Sequence, residues 1–252
     1  MTKSALRVLD ILEFIAEQRH GSTHTHIAQS LRIPKSSLTA LLRDLVSRGY
    51  LELDADTGRY GIGAHALTLS QAYLRNLNLV RVAQPVVSEI FDAVGEFASF
   101  GIPRGADYVI ICAESMPLPL AYSLQIGERG PLFCSATGKA ILAFMSDDQC
   151  EAALAGSTIR RITPSTKTEL GAIRAELAEV RLSRVAYARE ENIAGVNAIA
   201  APVFNAAGVV VGALAVAAPV SRFTPALEAT AAKALRGGAR RLSQQLGWRE
   251  AA

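Results

Sequence analysis

The first 63 residues carry the feature that most limits the possible folds: three short helical patterns followed by two short strand patterns. Apolar residues recur every three or four positions from Leu6 to Ile15, in a short stretch that ends at Leu31, and from Leu38 to Val46. Beyond the third pattern, apolar residues alternate with polar ones on both sides of an ADTG turn, as in a hairpin. The order helix, helix, helix, hairpin is that of a winged helix-turn-helix.

The remainder of the chain predicts a linker and a second domain. A helical pattern over residues 64–78 separates a first domain at 1–63 from a second at 79–252. Strand-like stretches in the second part read FASFGIP, DYVIICAES, LAYSLQIG, NAIAAPVF and VVVGALAVAAP, with helical patterns between and after them. Strands in blocks flanked by helices indicate an α+β fold with a mostly antiparallel sheet.

Composition limits the class of protein without naming a function. Half of the 252 residues are hydrophobic and the formal net charge is +3, so a sizeable core can form and a nucleic-acid partner is permitted but not required. The three cysteines have no CxxC spacing, which argues against a disulfide framework and favours a reducing, cytoplasmic setting. Charges run through the N-terminal apolar pattern, and no apolar run reaches about 18 residues, so we expect neither a signal peptide nor a membrane span.

The third helical pattern has a polar face whose layout suits recognition of DNA. Ser36, Thr39 and Arg43 are spaced i, i+3 and i+7, opposite the apolar stripe, and Lys35 and Ser37 lie beside them in the first turn. A recognition helix needs such residues because its first turns meet base edges while nearby cations and amides hold phosphates. A merely solvated polar face is the alternative.

The local charge favours the DNA interpretation. Between residues 18 and 48 five basic residues accompany one acidic residue, whereas residues 1–17 hold two basic and three acidic residues. Arg59, just after the hairpin turn, would place a cation on the wing for phosphate or minor-groove contact. Thr23 and His24, at the start of the second helix, are assigned a DNA-facing or capping role.

Other chemistries find little support. His24 and His26 lack a carboxylate or cysteine companion for a metal, and TGK at 137–139 lacks the first glycine of a phosphate loop. No G-x-S-x-G motif is present, and adjacent Glu190 and Glu191 would point to opposite faces of a strand. We therefore predict no enzyme activity, no metal and no cofactor.

Several separated segments resemble one known family. ALRVLDILEFIAE, IPKSSLTALLRDLVSRGYLELDADTGRYGIG, GKAILAF, REENIAGVNAIAAPVFN and SRFTP closely resemble the IclR family of bacterial transcription regulators, in family order and over nearly the whole chain. The resemblance implies a winged helix that binds double-stranded operator DNA, a linker helix used in dimerisation, and a C-terminal GAF-like domain that binds a small-molecule effector. It also implies a homodimer or tetramer acting as a repressor or an activator.

The resemblance also implies an effector pocket over the sheet, between FCSATGK and the two C-terminal strands. Carried onto this chain, the expected lining residues are Tyr122, Leu124, Ala136, Thr137, Ala188, Val196, Ala198, Ala215 and Ala217. The backbone amides of Ala136 and Thr137 would seat a carboxylate near a helix N-terminus.

This chain departs from the family pattern in both domains. The family often has polar residues where alanine stands at 188, 198, 215 and 217, which predicts a wider, drier cavity and a ligand larger and more apolar than glyoxylate or pyruvate, such as an aromatic acid. The alternatives are that the alanines only pack the core, or that this domain only oligomerises and binds no ligand. In the recognition helix, Thr39 and Ala40 replace a common aromatic or histidine followed by arginine, so the operator sequence is expected to differ.

Overall fold

The protein, seen in a computed structural model, is described for residues 3–18, 20–69, 78–116 and 124–249. The chain divides into two compact units, residues 1–77 and 78–252. Residues 65–69 are helical, and most of the predicted linker, 70–77, lies outside the described residues.

The first unit contains three helices and a small antiparallel sheet. In chain order its elements are α1 (Lys3–Ala16), β1 (Ser22–Thr23), α2 (His24–Ser30), α3 (Lys35–Ser47), β2 (Leu51–Asp54) and β3 (Arg59–Ile62). The sheet order is β1-β3-β2, and both pairings are antiparallel. The predicted winged helix-turn-helix is confirmed, with β1 as a short third strand that alternation could not reveal.

Caps and glycines fix where these helices begin and end. The Thr23 hydroxyl accepts a hydrogen bond from the amide of His26 and so caps α2. Pro34 is the N-cap of α3, and its fixed φ suits a position at the start of a helix. Gly21 has a φ of +65°, and a Cβ there would lie 2.6 Å from the carbonyl oxygen of Tyr60, so only glycine lets β3 approach this turn.

The second unit is built on a six-stranded sheet. Its elements are α4 (Asn78–Val94), β4 (Phe97–Arg104), β5 (Asp107–Glu114), β6 (Arg129–Pro131), α5 (Ala136–Leu142), α6 (Asp147–Gly156), α7 (Leu170–Ser183), β7 (Ala186–Arg189), β8 (Val196–Phe204), β9 (Val210–Pro219) and α8 (Pro225–Gln245). The strand order is β6-β5-β4-β9-β8-β7, with every neighbouring pair antiparallel. The α+β class is confirmed.

One predicted strand does not appear among the described residues. LAYSLQIG was expected to form a strand over 120–127, but residues 124–127 form a loop and a turn, and 120–123 lie outside the described residues. The carboxylate of Glu128 accepts a hydrogen bond from the amide of Gln125, and Gly127 takes a φ of +94°, which ends any extended run. The short strand β6 follows instead.

The sheet has two chemically different faces. On the face toward α4 and α8, here called the aliphatic face, β8 and β9 place Ile199, Val203, Leu214 and Val216. On the face toward α5, here called the alanine face, the same strands place Ala198, Ala200, Ala213, Ala215 and Ala217. Because strand side chains alternate, one pair of strands builds both surfaces. Within the described ranges no helix is long and apolar enough to cross a membrane.

Candidate functional site

Helix α3 presents the predicted polar face to the surface. Its buried stripe is formed by Leu38, Leu42 and Leu45. The other side exposes Lys35, Ser36, Thr39 and Arg43, while Ser37 is half-buried. The structure thus brings the predicted residues onto one helix, in the first two turns and slightly beyond. Their contact with DNA remains a prediction.

Thr39 is tied to two neighbours. Its Oγ1 donates to the carbonyl of Lys35 at 2.9 Å and lies 3.0 Å from Nε2 of His24. Since the single hydroxyl proton goes to the carbonyl, the contact with His24 requires Nε2 to donate. His24 therefore fixes a side chain of the polar face from helix α2, a pairing that the sequence spacing did not indicate.

Two arginines and a helix end supply positive potential in this unit. The guanidinium of Arg43 is 78% exposed and lies 4.0 Å from a carboxylate oxygen of Asp44, a weak surface pair that leaves its charge available. Arg59 on the wing donates to the carbonyl of Gly21 at 3.2 Å. Pro34 offers no side-chain cap, and among the described residues no hydrogen bond engages the amides of Lys35, Ser36 and Ser37 at the start of the 13-residue helix α3.

The remaining predicted residues of the second helix serve to hold it. Thr23 is engaged as the N-cap. His26 lies with Nδ1 2.8 Å from Oγ of Ser22, and its ring packs edge-on against Phe14 at 5.5 Å. Nowhere in the described part of the chain do three or more metal-ligating side chains converge.

In the second unit, a small cavity lies on the alanine face. Eight of the nine predicted lining residues border it, namely Leu124, Ala136, Thr137, Ala188, Val196, Ala198, Ala215 and Ala217. Tyr122 lies outside the described residues. The cavity volume, taken as the space that the centre of a water molecule can reach, is about 30 Å³. This is room for only a few water molecules.

The cavity also has polar walls that the sequence analysis did not assign. Six further residues line it: Phe97, Ser99, Tyr108, Ser135, Asn192 and Ile193. Alternation along β4 could have paired Ser99 with Phe97, since both point to one face. The alanine wall is apolar as expected, but hydroxyl and amide groups from β4, β5 and the segment after β7 face the same space.

Tyr108 is the one titratable side chain among these six residues, and it is buried. A Cβ at Gly130 would lie 2.5 Å from its hydroxyl oxygen, so glycine makes room for the ring. Burial raises the pKa of Tyr108 to about 12, partly opposed by hydrogen bonding with Ser135 and Thr137. Its hydroxyl is therefore a neutral group at physiological pH, able to donate to an anion.

The start of α5 offers two backbone donors. Ser135 caps this helix by accepting from the amide of Gly138 at 3.0 Å and donates to the carbonyl of Pro131 at 2.6 Å. Among the described residues, no hydrogen bond engages the amides of Ala136 and Thr137. These are the two groups that the resemblance assigned to a carboxylate.

A buried ionic network fixes the wall formed after β7. The ammonium of Lys139 is fully buried and lies 2.7 Å from Glu176 and 2.8 Å from Glu191. The hydroxyls of Thr163 and Thr166 donate to the backbone carbonyls of Glu190 and Glu191. The segment that carries Asn192 into the cavity is thus held from two sides.

Two buried cysteines of the second unit have a thiol pKa far above neutral pH. Burial raises the pKa of both Cys112 and Cys134 to about 12, and for Cys134 the nearby Glu191 adds to the shift. A thiol with such a pKa stays protonated and unreactive at neutral pH. Glu191 itself is paired with the ammonium of Lys139.

Comparisons with known proteins cover both units. The model of the IclR helix-turn-helix domain matches residues 4–55, and that of the bacterial transcriptional regulator IclR C-terminal domain matches residues 71–244. The DNA-binding transcriptional repressor YiaJ of Escherichia coli is 32% identical over 251 residues, which cover 98% of this chain and 89% of YiaJ.

Solved structures agree. A transcriptional regulator from Rhodococcus sp. RHA1 superposes with a TM-score of 0.85 at 26% identity, covering 98% of both chains. An IclR homologue from Microbacterium hydrocarbonoxydans, solved in complex with 4-hydroxybenzoate, superposes with a TM-score of 0.83 at 24% identity, covering 97% of this chain and 99% of that one. Both domain models match in order, and the relatives are regulators rather than enzymes. The chain therefore belongs to the IclR family of DNA-binding transcriptional regulators.

Proposed function

We propose that this regulator binds its operator through the polar face of α3 and that an organic acid in the alanine-face cavity controls operator affinity. The exposed set Lys35, Ser36, Thr39 and Arg43 carries the first half of the proposal. Two copies of the chain would place two such helices on a pseudo-palindromic site, as dimeric helix-turn-helix proteins do. A ligand that favours one arrangement of the copies must then change operator affinity reciprocally.

A titration of operator DNA tests the DNA half. The operator would first be selected from a random DNA pool with the full-length protein. Arg43→Ala should weaken binding by about 1 to 3 kcal/mol if Arg43 reads a base, and Lys35→Ala should weaken it across sequences. Arg48→Ala is the matched control, because it removes an exposed cation just past the far end of α3. Equal affinity of Arg43→Ala, Lys35→Ala and Arg48→Ala would refute this assignment.

The alanine wall carries the proposal about the ligand. With methyl groups at 188, 198, 215 and 217, the cavity favours a ligand with an apolar body, such as an aromatic acid, over glyoxylate or pyruvate. The amides of Ala136 and Thr137 and the hydroxyl of Tyr108 would receive the carboxylate. The distant relative crystallised with 4-hydroxybenzoate supports this class of ligand. A monocyclic acid needs more room than about 30 Å³, so binding requires the cavity to open, with Leu124 as the half-exposed side chain at its wall.

Calorimetry on the full-length protein tests the ligand. Benzoate and 4-hydroxybenzoate should bind, and glyoxylate and pyruvate should bind more weakly. The double variant Ala215→Ser/Ala217→Ser restores hydroxyls on the same face and should shift the preference toward pyruvate. Preferential binding of pyruvate by the unmodified protein would overturn the proposal.

The small volume supports a second candidate. If the cavity stays closed, the second unit only joins copies of the chain and senses nothing. Thermal denaturation with a metabolite library separates the two, since a ligand that binds only the folded protein raises its stability by mass action. No shift with any carboxylate would favour the candidate without a ligand.

A further inference from the structure

One polar group of the alanine-face cavity has no partner in the described part of the chain. It is the hydroxyl of Ser99, whose side chain comes from β4 and borders the cavity. Ser99 is only 4% exposed, and its Oγ forms no hydrogen bond with any described residue. The cavity therefore contains a buried hydroxyl that is free to pair with a bound molecule.

The other polar side chains of the cavity are already engaged. Tyr108 forms hydrogen bonds with Ser135 and Thr137, and Oδ1 of Asn192 accepts a hydrogen bond from the thiol of Cys134 at 3.9 Å. Buried polar groups in folded proteins are nearly always paired, because a buried hydroxyl without a partner loses its hydrogen bonds with water and gains none. A single unpaired hydroxyl among engaged neighbours thus points to a ligand.

The strand register gives the position of Ser99 relative to the start of α5. The pairing of β4 with β9 is regular from Phe97 to Gly101, so Ser99 and Gly101 face the same side of the sheet. A Cβ on Gly101 would lie 2.9 Å from Cγ2 of Thr137 and 2.8 Å from Cδ2 of Tyr108, so these two side chains close over Gly101. Ser99 lies two residues along the strand, a distance of roughly 7 Å. Its hydroxyl is therefore separated from the groups proposed to receive the carboxylate.

We propose that Ser99 determines the specificity of the cavity by binding a hydroxyl group on the ligand ring, remote from the carboxylate. This inference rests on the proposed function of the cavity and adds the substituent that the ligand carries. A serine hydroxyl can donate or accept, so it pairs with a ring hydroxyl in either direction. The alanines that line the same cavity offer no competing side-chain partner.

Two kinds of aromatic acid would leave this hydroxyl unpaired. An unsubstituted ring has no group for Ser99, and its binding would also exclude the water that could reach Oγ. A hydroxyl next to the carboxylate would stay beside the first turn of α5, away from Ser99. The cavity should therefore prefer a ring hydroxyl at the 3- or 4-position of a benzoate.

Calorimetry on the full-length protein tests this preference with benzoate, salicylate, 3-hydroxybenzoate and 4-hydroxybenzoate. The better of the last two should bind about three- to tenfold more tightly than benzoate and salicylate, as expected for one neutral hydrogen bond. In Ser99→Ala this advantage should disappear, while benzoate should bind as tightly as before or more tightly. The comparison isolates one hydroxyl on the protein and one on the ligand.

The stability of the ligand-free protein provides a second readout. Ser99→Ala should leave Tm unchanged or raise it, because the variant removes a buried group that has no partner. Ser243→Ala is the matched control, since Oγ of this buried serine accepts from the amide of Phe204 at 3.0 Å and donates to the carbonyl of Ala239 at 2.6 Å. Loss of these bonds should lower Tm by about 2–4 °C.

Three results would overturn the inference about Ser99. They are tightest binding of benzoate or salicylate, an advantage of the ring hydroxyl that survives in Ser99→Ala, and a loss of Tm in Ser99→Ala as large as that in Ser243→Ala. Each of them leaves the proposed cavity function standing as long as an aromatic acid binds. Absence of saturable binding by all four acids would contradict the proposed ligand class as well.

Discussion

The two faces of the six-stranded sheet come from the same strands but have opposite chemistry. Toward α4 and α8, β8 and β9 present large aliphatic side chains such as Leu214 and Val216, which are fully buried. Toward α5 they present alanines, and the cavity there is bordered by buried polar side chains, including Ser99, Tyr108 and Ser135. The first face stabilises the domain by burial, and the second leaves space at the expense of apolar contacts. One side of the sheet therefore stabilises the domain, and the other side carries the proposed binding site.

The largest effect is expected on the alanine side, where charge is buried. Lys139→Met would leave the buried carboxylate of Glu191 without its ammonium partner and leave Glu176 with Lys167 alone, and breaking a buried pair in this way costs about 3–5 kcal/mol. Lys167→Met is the matched control, because Lys167 pairs with Glu176 from the surface and should contribute less than about 1 kcal/mol. Urea unfolding followed by Trp248 fluorescence measures both. Equal losses would mean that the network is not a structural support of this face.

The next prediction compares a smaller side chain on the aliphatic face with a larger side chain on the alanine face. Leu214→Ala should lower the free energy of unfolding by about 2–5 kcal/mol, because the tightly packed aliphatic face cannot relax to fill the space that the lost side chain leaves. Ala215→Val adds methyl groups into the cavity, where space exists, and should cost less than about 1 kcal/mol while weakening ligand binding.

Ala213→Val is the control for that addition. Ala213 lies on the same strand and face but does not border the cavity, so overpacking there should cost about 1–3 kcal/mol. The same urea unfolding measures all three variants. If Ala213→Val and Ala215→Val lose equal stability, the alanine face is as tightly filled as the other and the contrast fails.

The last prediction concerns pH. The folded-state pKa of Tyr108 is raised to about 12 by burial, above its unfolded value of about 10. Because the pKa is higher in the folded state, the neutral Tyr108 hydroxyl adds roughly 2 to 3 kcal/mol to the free energy of unfolding. This stabilisation is fully present below about pH 10 and is lost as the pH rises through about 12. Tyr108→Phe removes this titration, so the variant should lose less stability than the unmodified protein between those pH values. Parallel pH profiles of the two proteins would show that the hydroxyl is not desolvated when folded.

Local sequence patterns predicted the helices and strands of this fold better than the contacts between side chains that lie far apart in the sequence. The spacing of Leu38, Leu42 and Leu45 predicted α3, and alternation placed Ala215 and Ala217 on one face. Lys139 meets Glu176 and Glu191 across 37 and 52 residues of sequence, and no periodicity reports such a pairing.

Another feature lacks a local signal for a similar reason. Strand β1 has two residues, too few for an alternation to be visible, and is held by pairing with β3. Helix α6 differs from these features, because its capping box at Ser146 and Gln149 is a local signal from which its start could have been predicted.

The hydrogen bonds of Thr39 determine what this residue can offer to a base pair. Its hydroxyl proton is committed to the carbonyl of Lys35 and one lone pair to His24, so the hydroxyl cannot also donate to a base, and the methyl is its remaining apolar group. Ala40, also exposed, adds a second methyl beside it. In the major groove the matching apolar group is the 5-methyl of thymine. At this position the operator would be read by van der Waals contact, and replacing thymine by uracil would remove the recognised group without altering a base pair.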